Sequence, residues 1–414
     1  MDRSCIQHAM QPRAEVAPTP TEEIVAAPSR IASIDIFRGL TILVMIFVND
    51  VGEVKGLPWW THHAPPDANY MTYVDMVFPA FLFIVGMSIP LAMGRRKVSE
   101  SGLKVLSHIL LRSIGLIVIG IFLANLYKMD PQLSGIDRTL WGLLGFAGIF
   151  LLWNVYPRNE RRKAFYRALK ILGAVMLAVV LAVFRRKTES GEVAWLDFSY
   201  WEILGLIGCA YLGVSILYLL LGRKTWTVVV AFVALTAMNA VSTAGKIGWA
   251  GRVLRYWPFE AGLCAITMAG VVATKIFFDQ NNARSFRDKA VLASVYGAVL
   301  FAAGLALLPL GISKIGDTPT WGLFSASACT FIFLALYWIA DVKHRTSWAA
   351  FVKPAGSNTL LTYLLPDVWY VIPALVALGD RWNAGAPGVI RAFVFTAIMF
   401  CHPFVNYRRA ADGR

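Results

Sequence analysis

Asp75-Met76-Val77-Phe78-Pro79-Ala80-Phe81-Leu82-Phe83-Ile84-Val85-Gly86-Met87-Ser88-Ile89 is the stretch on which the fold reading turns. After Asp75 it carries no charge, and the apolar run continues to Met93. A run of that length crosses a bilayer core, which takes about 20 apolar residues at roughly 1.5 Å of rise each. A second such run begins near Ile31, and the short polar stretch from Gly52 to Val74 joins the two. The chain of 414 residues is 57% hydrophobic and 15% charged, with a mean hydropathy of +0.59. A soluble globule of this length has no single core large enough to hide that much apolar surface.

Further runs bounded by charge, Pro or Gly fall at 104–127, 138–156, 165–184, 202–221, 226–245, 259–278, 289–311, 320–341, 356–377 and 389–405, beside 31–51 and 75–94. The expectation is an all-α, polytopic transmembrane helical bundle of about 10–12 spans. Alternating apolar and polar residues, the mark of an outer-membrane barrel, are absent, so helices must satisfy the backbone. Residues 1–30, with Pro12, Pro18, Pro20 and Pro28, read as a disordered cytoplasmic tail rather than a signal peptide. Residues 31–405 then form the membrane domain and 406–414 a cytoplasmic C-terminal tail.

The net charge of +14 does not point to nucleic acid once the basic residues are placed. With a cytoplasmic N-terminus, alternate loops on that side hold 25 of the 39 Lys and Arg residues and the opposite loops 11, which is the positive-inside pattern. The Arg185-Arg186-Lys187 run falls on the other side and departs from it. The orientation puts His62 and His63 on the far face, periplasmic if the chain sits in a bacterial inner membrane. The five cysteines comprise Cys5 in the tail and Cys209, Cys264, Cys329 and Cys401 within spans, so no disulfide framework and no metal site is expected.

His62 and His63 share their loop with Asp50, Glu53, Trp59, Trp60 and Asp67, and Asp75 closes it. An imidazole among carboxylates at the mouth of a bundle suits a general base or an acyl-accepting nucleophile. The competing reading makes these His and Trp residues amphipathic anchors at the membrane interface. Asp35 and Arg38, spaced i, i+3 inside a span, read as a local ion pair, although charge at that depth costs at least about 2.5–3.5 kcal/mol and usually has a function or a partner. Asp75 would serve equally as a first-turn acid of the helix it precedes, and Asn49 as a helix end.

Several ordered elements together resemble the heparan-α-glucosaminide N-acetyltransferase family and its bacterial relatives. They are Ser33-Ile34-Asp35-Ile36-Phe37-Arg38-Gly39-Leu40-Thr41, Val48-Asn49, His63-Ala64 and the Asp75–Ile89 stretch, followed more thinly by Pro258-Phe259-Glu260-Ala261-Gly262, Thr318-Pro319-Thr320-Trp321, Tyr337-Trp338-Ile339-Ala340-Asp341-Val342 and Gly356-Ser357-Asn358-Thr359. The segment Trp201–Gly208 departs from the family by lacking its Gln-Arg pair. The resemblance implies transfer of an acetyl group from cytoplasmic acetyl-CoA to an amino sugar or glycan across the bilayer. It makes His63 the active-site residue, with Asn49 to orient the ring or hold the thioester oxygen and Asp75 to set the ring tautomer. Arg38, with Asp35, becomes a candidate for the CoA phosphates, and His62 and Glu260 for the acceptor. The partners implied are acetyl-CoA, the glycan acceptor and the lipid bilayer, with a homodimer left open and neither a metal nor nucleic acid. A rival class is a secondary transporter or flippase whose substrate path runs past Asp35, Arg38 and Glu260.

The charge asymmetry makes a direct prediction. A cysteine introduced at Gly56 should react with an impermeant thiol reagent added outside the cytoplasm, and one at Ser99 or Asn159 only after the membrane is opened. The reverse pattern would place His63 on the cytoplasmic face.

Overall fold

The computed structural model describes residues 31–99, 101–157, 159–222, 224–245, 260–279, 284–380 and 382–412. The expected tail at 1–30 lies outside these residues, as do Pro258, Phe259 and the last two positions of the chain. Among the described residues, nine helices are long and apolar enough to cross a membrane, and two shorter apolar helices accompany them. The chain is an all-α, polytopic membrane protein. Its described strand is a hairpin pairing Arg186–Lys187 with Val193–Ala194.

The long helices are α1 (Ala32–Val51), α2 (Val77–Ser99) and α3 (Gly102–Asn125), then, after the short α4 (Pro131–Ser134), α5 (Arg138–Trp153), α6 (Lys163–Val183), α7 (Glu202–Leu221) and α8 (Thr225–Thr243). Beyond the next connection come α9 (Ala261–Phe278), α10 (Phe286–Ala306) and α11 (Pro319–Tyr337). The run expected as one span at 356–377 is broken into α12 (Lys353–Ser357), α13 (Thr359–Tyr370) and α14 (Pro373–Asp380). Asn358 (φ −115°, ψ 50°) lies outside helical geometry, and Pro373 starts a new segment because it cannot continue the α13 hydrogen-bond ladder. α15 runs from Gly385 to Asp412, so its backbone continues past residue 405, where the membrane domain was expected to end.

α9 is the centre of the bundle: 83% of its apolar window is buried, against 17% for the α6 window and 22% for those of α8 and α10, which face outward. Its sequence explains the position. Ala261, Gly262, Ala265, Ala269, Gly270 and Ala273 are small, and small residues let helix backbones approach closely in a membrane. A Cβ on Gly270 would overlap the Phe83 carbonyl of α2, and one on Gly86 would overlap the Thr267 carbonyl of α9. The Thr274 hydroxyl adds an interhelical hydrogen bond to the Met87 carbonyl at 2.9 Å. α3 and α7 touch in the same way, Gly120 against Gly205.

At one end of the bundle α1 starts on a cap supplied from far along the chain. The backbone N–H groups of Ala32 and Ser33 donate to the two oxygens of Asp341 at 3.2 and 3.3 Å. A carboxylate there satisfies orphan donors and meets the positive end of the helix dipole. The break before α13 frees the Gly356 carbonyl, which accepts from Arg38 Nη1 at 3.2 Å and from the Thr359 hydroxyl at 3.0 Å. Broken helices persist at membrane depth only where such groups are satisfied again. At the opposite end the loop 52–76 crosses the mouth, with a 3-10 turn at Trp59–Thr61 and another at Val74–Met76 leading into α2.

Gly270→Ala should lower the melting temperature in detergent and the yield of folded protein, because the added Cβ meets unyielding backbone and overpacking costs about 1–3 kcal/mol or more. Gly94→Ala, where a Cβ would meet nothing within 4 Å, should be neutral or slightly stabilising. Equal melting temperatures for the two variants would contradict the α2–α9 packing.

Candidate active site

Asp75 sits in the 3-10 turn just before α2 and turns its carboxylate back toward the preceding loop. Oδ1 lies 2.7 Å from His63 Nδ1. Oδ2 accepts from the backbone N–H of Ala64 at 3.2 Å, that of Thr72 at 3.0 Å and the Thr72 hydroxyl at 3.3 Å. Its main-chain carbonyl accepts from the fully buried indole of Trp321 on α11 at 3.1 Å. The Asp75 side chain is 1% exposed and that of His63 is 47% exposed. A carboxylate at Nδ1 can only accept, so it places a ring proton there, and in the neutral tautomer the lone pair is on Nε2. The result is an oriented imidazole in the geometry of a general base or nucleophile.

A cation stands beside this pair. Lys314 Nζ is 3.3 Å from His63 Nδ1 and 3.5 Å from Nε2, alongside the ring rather than in line with one nitrogen. Its loop, between α10 and α11, is tied to the His63 loop by the Ile312 N–H donating to Asn69 Oδ1 at 2.7 Å. Within the loop, Ser313 N–H donates to the Thr318 hydroxyl at 3.0 Å and Gly316 N–H to the Ser313 hydroxyl at 2.9 Å. Burial pushes the Lys314 ammonium below the ordinary lysine value, while the charges of Asp75 and Glu202 oppose that shift.

Glu202, the first residue of α7, brings a second carboxylate into charge range of Lys314. It adopts a positive φ of 55°, a left-handed conformation rare for a non-glycine residue, and such strain clusters at functional sites. Its Oε2 accepts from Leu204 N–H at 3.0 Å, and both oxygens lie 3.2 Å from the hydroxyl of buried Tyr363 on α13. Tyr200 just outside α7 lies within charge range of Glu202 and of Glu260, at the start of α9, and its hydroxyl is raised to about 12 by burial and then by these two carboxylates.

The other residues singled out from sequence are spread along the bundle. Asn49 is exposed on the last turn of α1. Its neighbour Asp50 is buried, accepts from Tyr370 at 2.9 Å and pairs with Arg391 at 3.1 Å, fastening that helix end to α13 and α15. His62 has its Nδ1 2.9 Å from the Thr61 hydroxyl, and its carbonyl accepts from Thr72. Arg38 is far from this cluster: 11 residues before Asn49 on one helix is about 16 Å of axial rise. There it pairs with Asp35 at 3.1 Å, reaches Ser88 at 3.0 Å on α2 and bonds the Gly356 carbonyl. The structure thus brings His63 and Asp75 into direct contact, puts Asn49 and Glu260 at the same end, and leaves Asp35 and Arg38 at the other. Among the described residues no cluster of three or more His, Cys, Asp or Glu side chains is arranged to hold a metal.

Sequence reasoning missed Lys314, Glu202 and Tyr363. Lys314 stands in a sparsely charged loop between Gly311 and Gly316, just before the Thr318–Trp321 motif, and that isolation was the available signal. Glu202 opens an otherwise uncharged run, where an acid reads equally well as a favourable first-turn residue.

Two characterised proteins share part of this sequence. The chain is 40% identical to heparan-alpha-glucosaminide N-acetyltransferase of Homo sapiens over 132 residues, 31% of this chain and 19% of that protein. It is 39% identical to the Mus musculus protein of the same name over 144 residues, 32% of this chain and 21% of that protein. The aligned part is therefore about a fifth of the length of these relatives. A family model described as "Domain of unknown function (DUF5009)" matches residues 30–259, which is α1 to α8 with the whole His63 loop. That match covers more than half of the chain, which accordingly belongs to the DUF5009 family.

Proposed function

We propose that this protein is an integral-membrane acyltransferase that moves an acetyl group from acetyl-CoA to the amine of an amino sugar or glycan. The observation that carries the reading is the 2.7 Å contact between His63 and the buried Asp75 at the mouth of the bundle. The names of the partial relatives support the choice of an N-acetyl transfer. In this reading Nε2 of His63 either removes a proton from the acceptor amine or takes the acetyl group first. Asp75 holds the tautomer and stabilises the imidazolium as it forms. Asn49, exposed at the same end, offers an amide N–H to the thioester oxygen, and His62 and Glu260 border the acceptor.

The donor enters from the N-terminal, cytoplasmic side, where Arg38 and Asp35 mark the entrance, and the acceptor waits on the opposite face. Crossing is a matter of reach: a hydrocarbon core is about 30 Å thick, so the pantetheine arm threads most of the bundle. The transporter reading is weaker. Asp35 and Arg38 pair with each other, and Arg38 is held further by Ser88 and the Gly356 carbonyl, a fixed arrangement that gives no support to a moving substrate or proton path.

His63→Ala should reduce acetyl transfer by about 10²–10⁴-fold in protein that still folds, the usual contribution of a positioned acid or base, and should lower the melting temperature because buried Asp75 loses the donor on Oδ1. His62→Ala should be milder, since its ring is turned onto Thr61. Release of CoA thiol and acetylated amine measures both, and equal effects of the two substitutions would remove His63 from its special role.

Arg38→Gln should raise the KM for acetyl-CoA more than that for the amine acceptor in protein that still folds. An unchanged donor KM would return Arg38 to a purely structural tie among α1, α2 and α12.

A further inference from the structure

Acceptance of an acetyl group by an amine requires that amine within hydrogen-bond reach of His63. Lys314 already provides one. Its Nζ lies 3.3 and 3.5 Å from the two ring nitrogens, and Asn69 ties its loop to the His63 loop. We infer that Lys314 is an internal acetyl acceptor: when no external amine is bound, the protein acetylates the Lys314 Nζ and thereby limits its own activity. This rests on the acetyl-CoA reading above.

The chemistry closes without a further reactant. The neutral Nζ attacks the acetyl carbonyl carbon of the thioester, forming a C–N bond as the C–S bond breaks. The proton lost from Nζ passes to Nε2 of His63, which returns it to the departing sulfur, so the products are Nε-acetyl-lysine and free CoA thiol. Burial lowers the pKa of the Lys314 ammonium, which favours loss of the proton that the attack requires. Proton transfer requires the lysine side chain to turn so that Nζ moves from beside the ring, 3.5 Å from Nε2, into line with that nitrogen. The amide does not transfer onward. It removes the positive charge facing Asp75 and Glu202 and fills the space an acceptor amine needs, so the modified protein is inactive toward external amines. Exposed lysines such as Lys128 and Lys163, paired with Asp197 and Glu160, have no imidazole partner and serve as internal controls.

The test uses the full chain in detergent, incubated with isotope-labelled acetyl-CoA in the absence of an amine and then mapped by peptide mass spectrometry. Label should accumulate at Lys314 well above Lys128 and Lys163, and its initial rate should fall about 10²-fold or more in His63→Ala. Glucosamine added as an external acceptor should slow it by competition, and Lys314→Arg should lose this label without gaining it elsewhere. Labelling of Lys314 equal to that of the exposed lysines, or unchanged in His63→Ala, overturns the inference. Free CoA thiol released in the presence of glucosamine separates the two readings. If thiol appears and Lys314 stays unlabelled, the internal acceptor falls while acyl transfer stands; if neither occurs, both fall.

Discussion

The His63 site depends on a carboxylate that has almost no contact with water. Asp75 stands at the entrance to α2, and burying an ionised acid there is tolerable only if every lone pair finds a donor. The donors to the carboxylate come from two places: His63 and Ala64 in the middle of the loop, and Thr72 at its end. Satisfying one acid therefore folds the loop and sets the imidazole, while the main-chain carbonyl of the same residue accepts separately from Trp321 and joins this turn to α11. Removing one partner of a buried pair typically costs about 3–5 kcal/mol, since the other is left uncompensated. The loop thereby gains a geometry that its polar composition alone would not impose.

The helices beneath supply the rigid frame. α2 presents Gly86, and α9 presents Gly270, so their backbones meet without side chains between them. In lipid there is little hydrophobic gain from bringing helices together, and close van der Waals contact has to hold them. Because α2 carries Asp75 at one end and Ser88 lower down, its close fit to α9 aligns the His63 end with the Arg38 end. α1 completes the link: capped by Asp341 at one terminus, it is fastened through Asp50 to Tyr370 and Arg391 at the other.

Charged residues inside the bundle separate into two groups with different physical characters. Around Arg38 the guanidinium meets Asp35, Ser88 and the Gly356 carbonyl, which hold it in one place among α1, α2 and the broken segment at 353–380. Around His63 the groups are unequal: a half-exposed imidazole, a lysine lowered by burial, and a glutamate held in a strained backbone conformation. Groups whose environments push their protonation in different directions are the material of acid and base chemistry.

Much of the architecture was legible in the residues. Apolar runs of membrane length mark spans that agree with the helices within a few residues for most of the chain, since burial of the backbone in lipid leaves the helix as the only economical solution. The pairing of His63 with Asp75 was also within reach, because both are close in sequence and flank one short loop. The break at Asn358 was not, as the freed carbonyl of Gly356 is stabilised by Arg38, a residue 318 positions away. Lys314 and Glu202 were hidden for the same reason. Composition and periodicity decide which segments enter the membrane; which side chains meet at its mouth depends on the order in which the helices pack, and that is set by contacts such as Gly86 on Thr267 that no local pattern encodes.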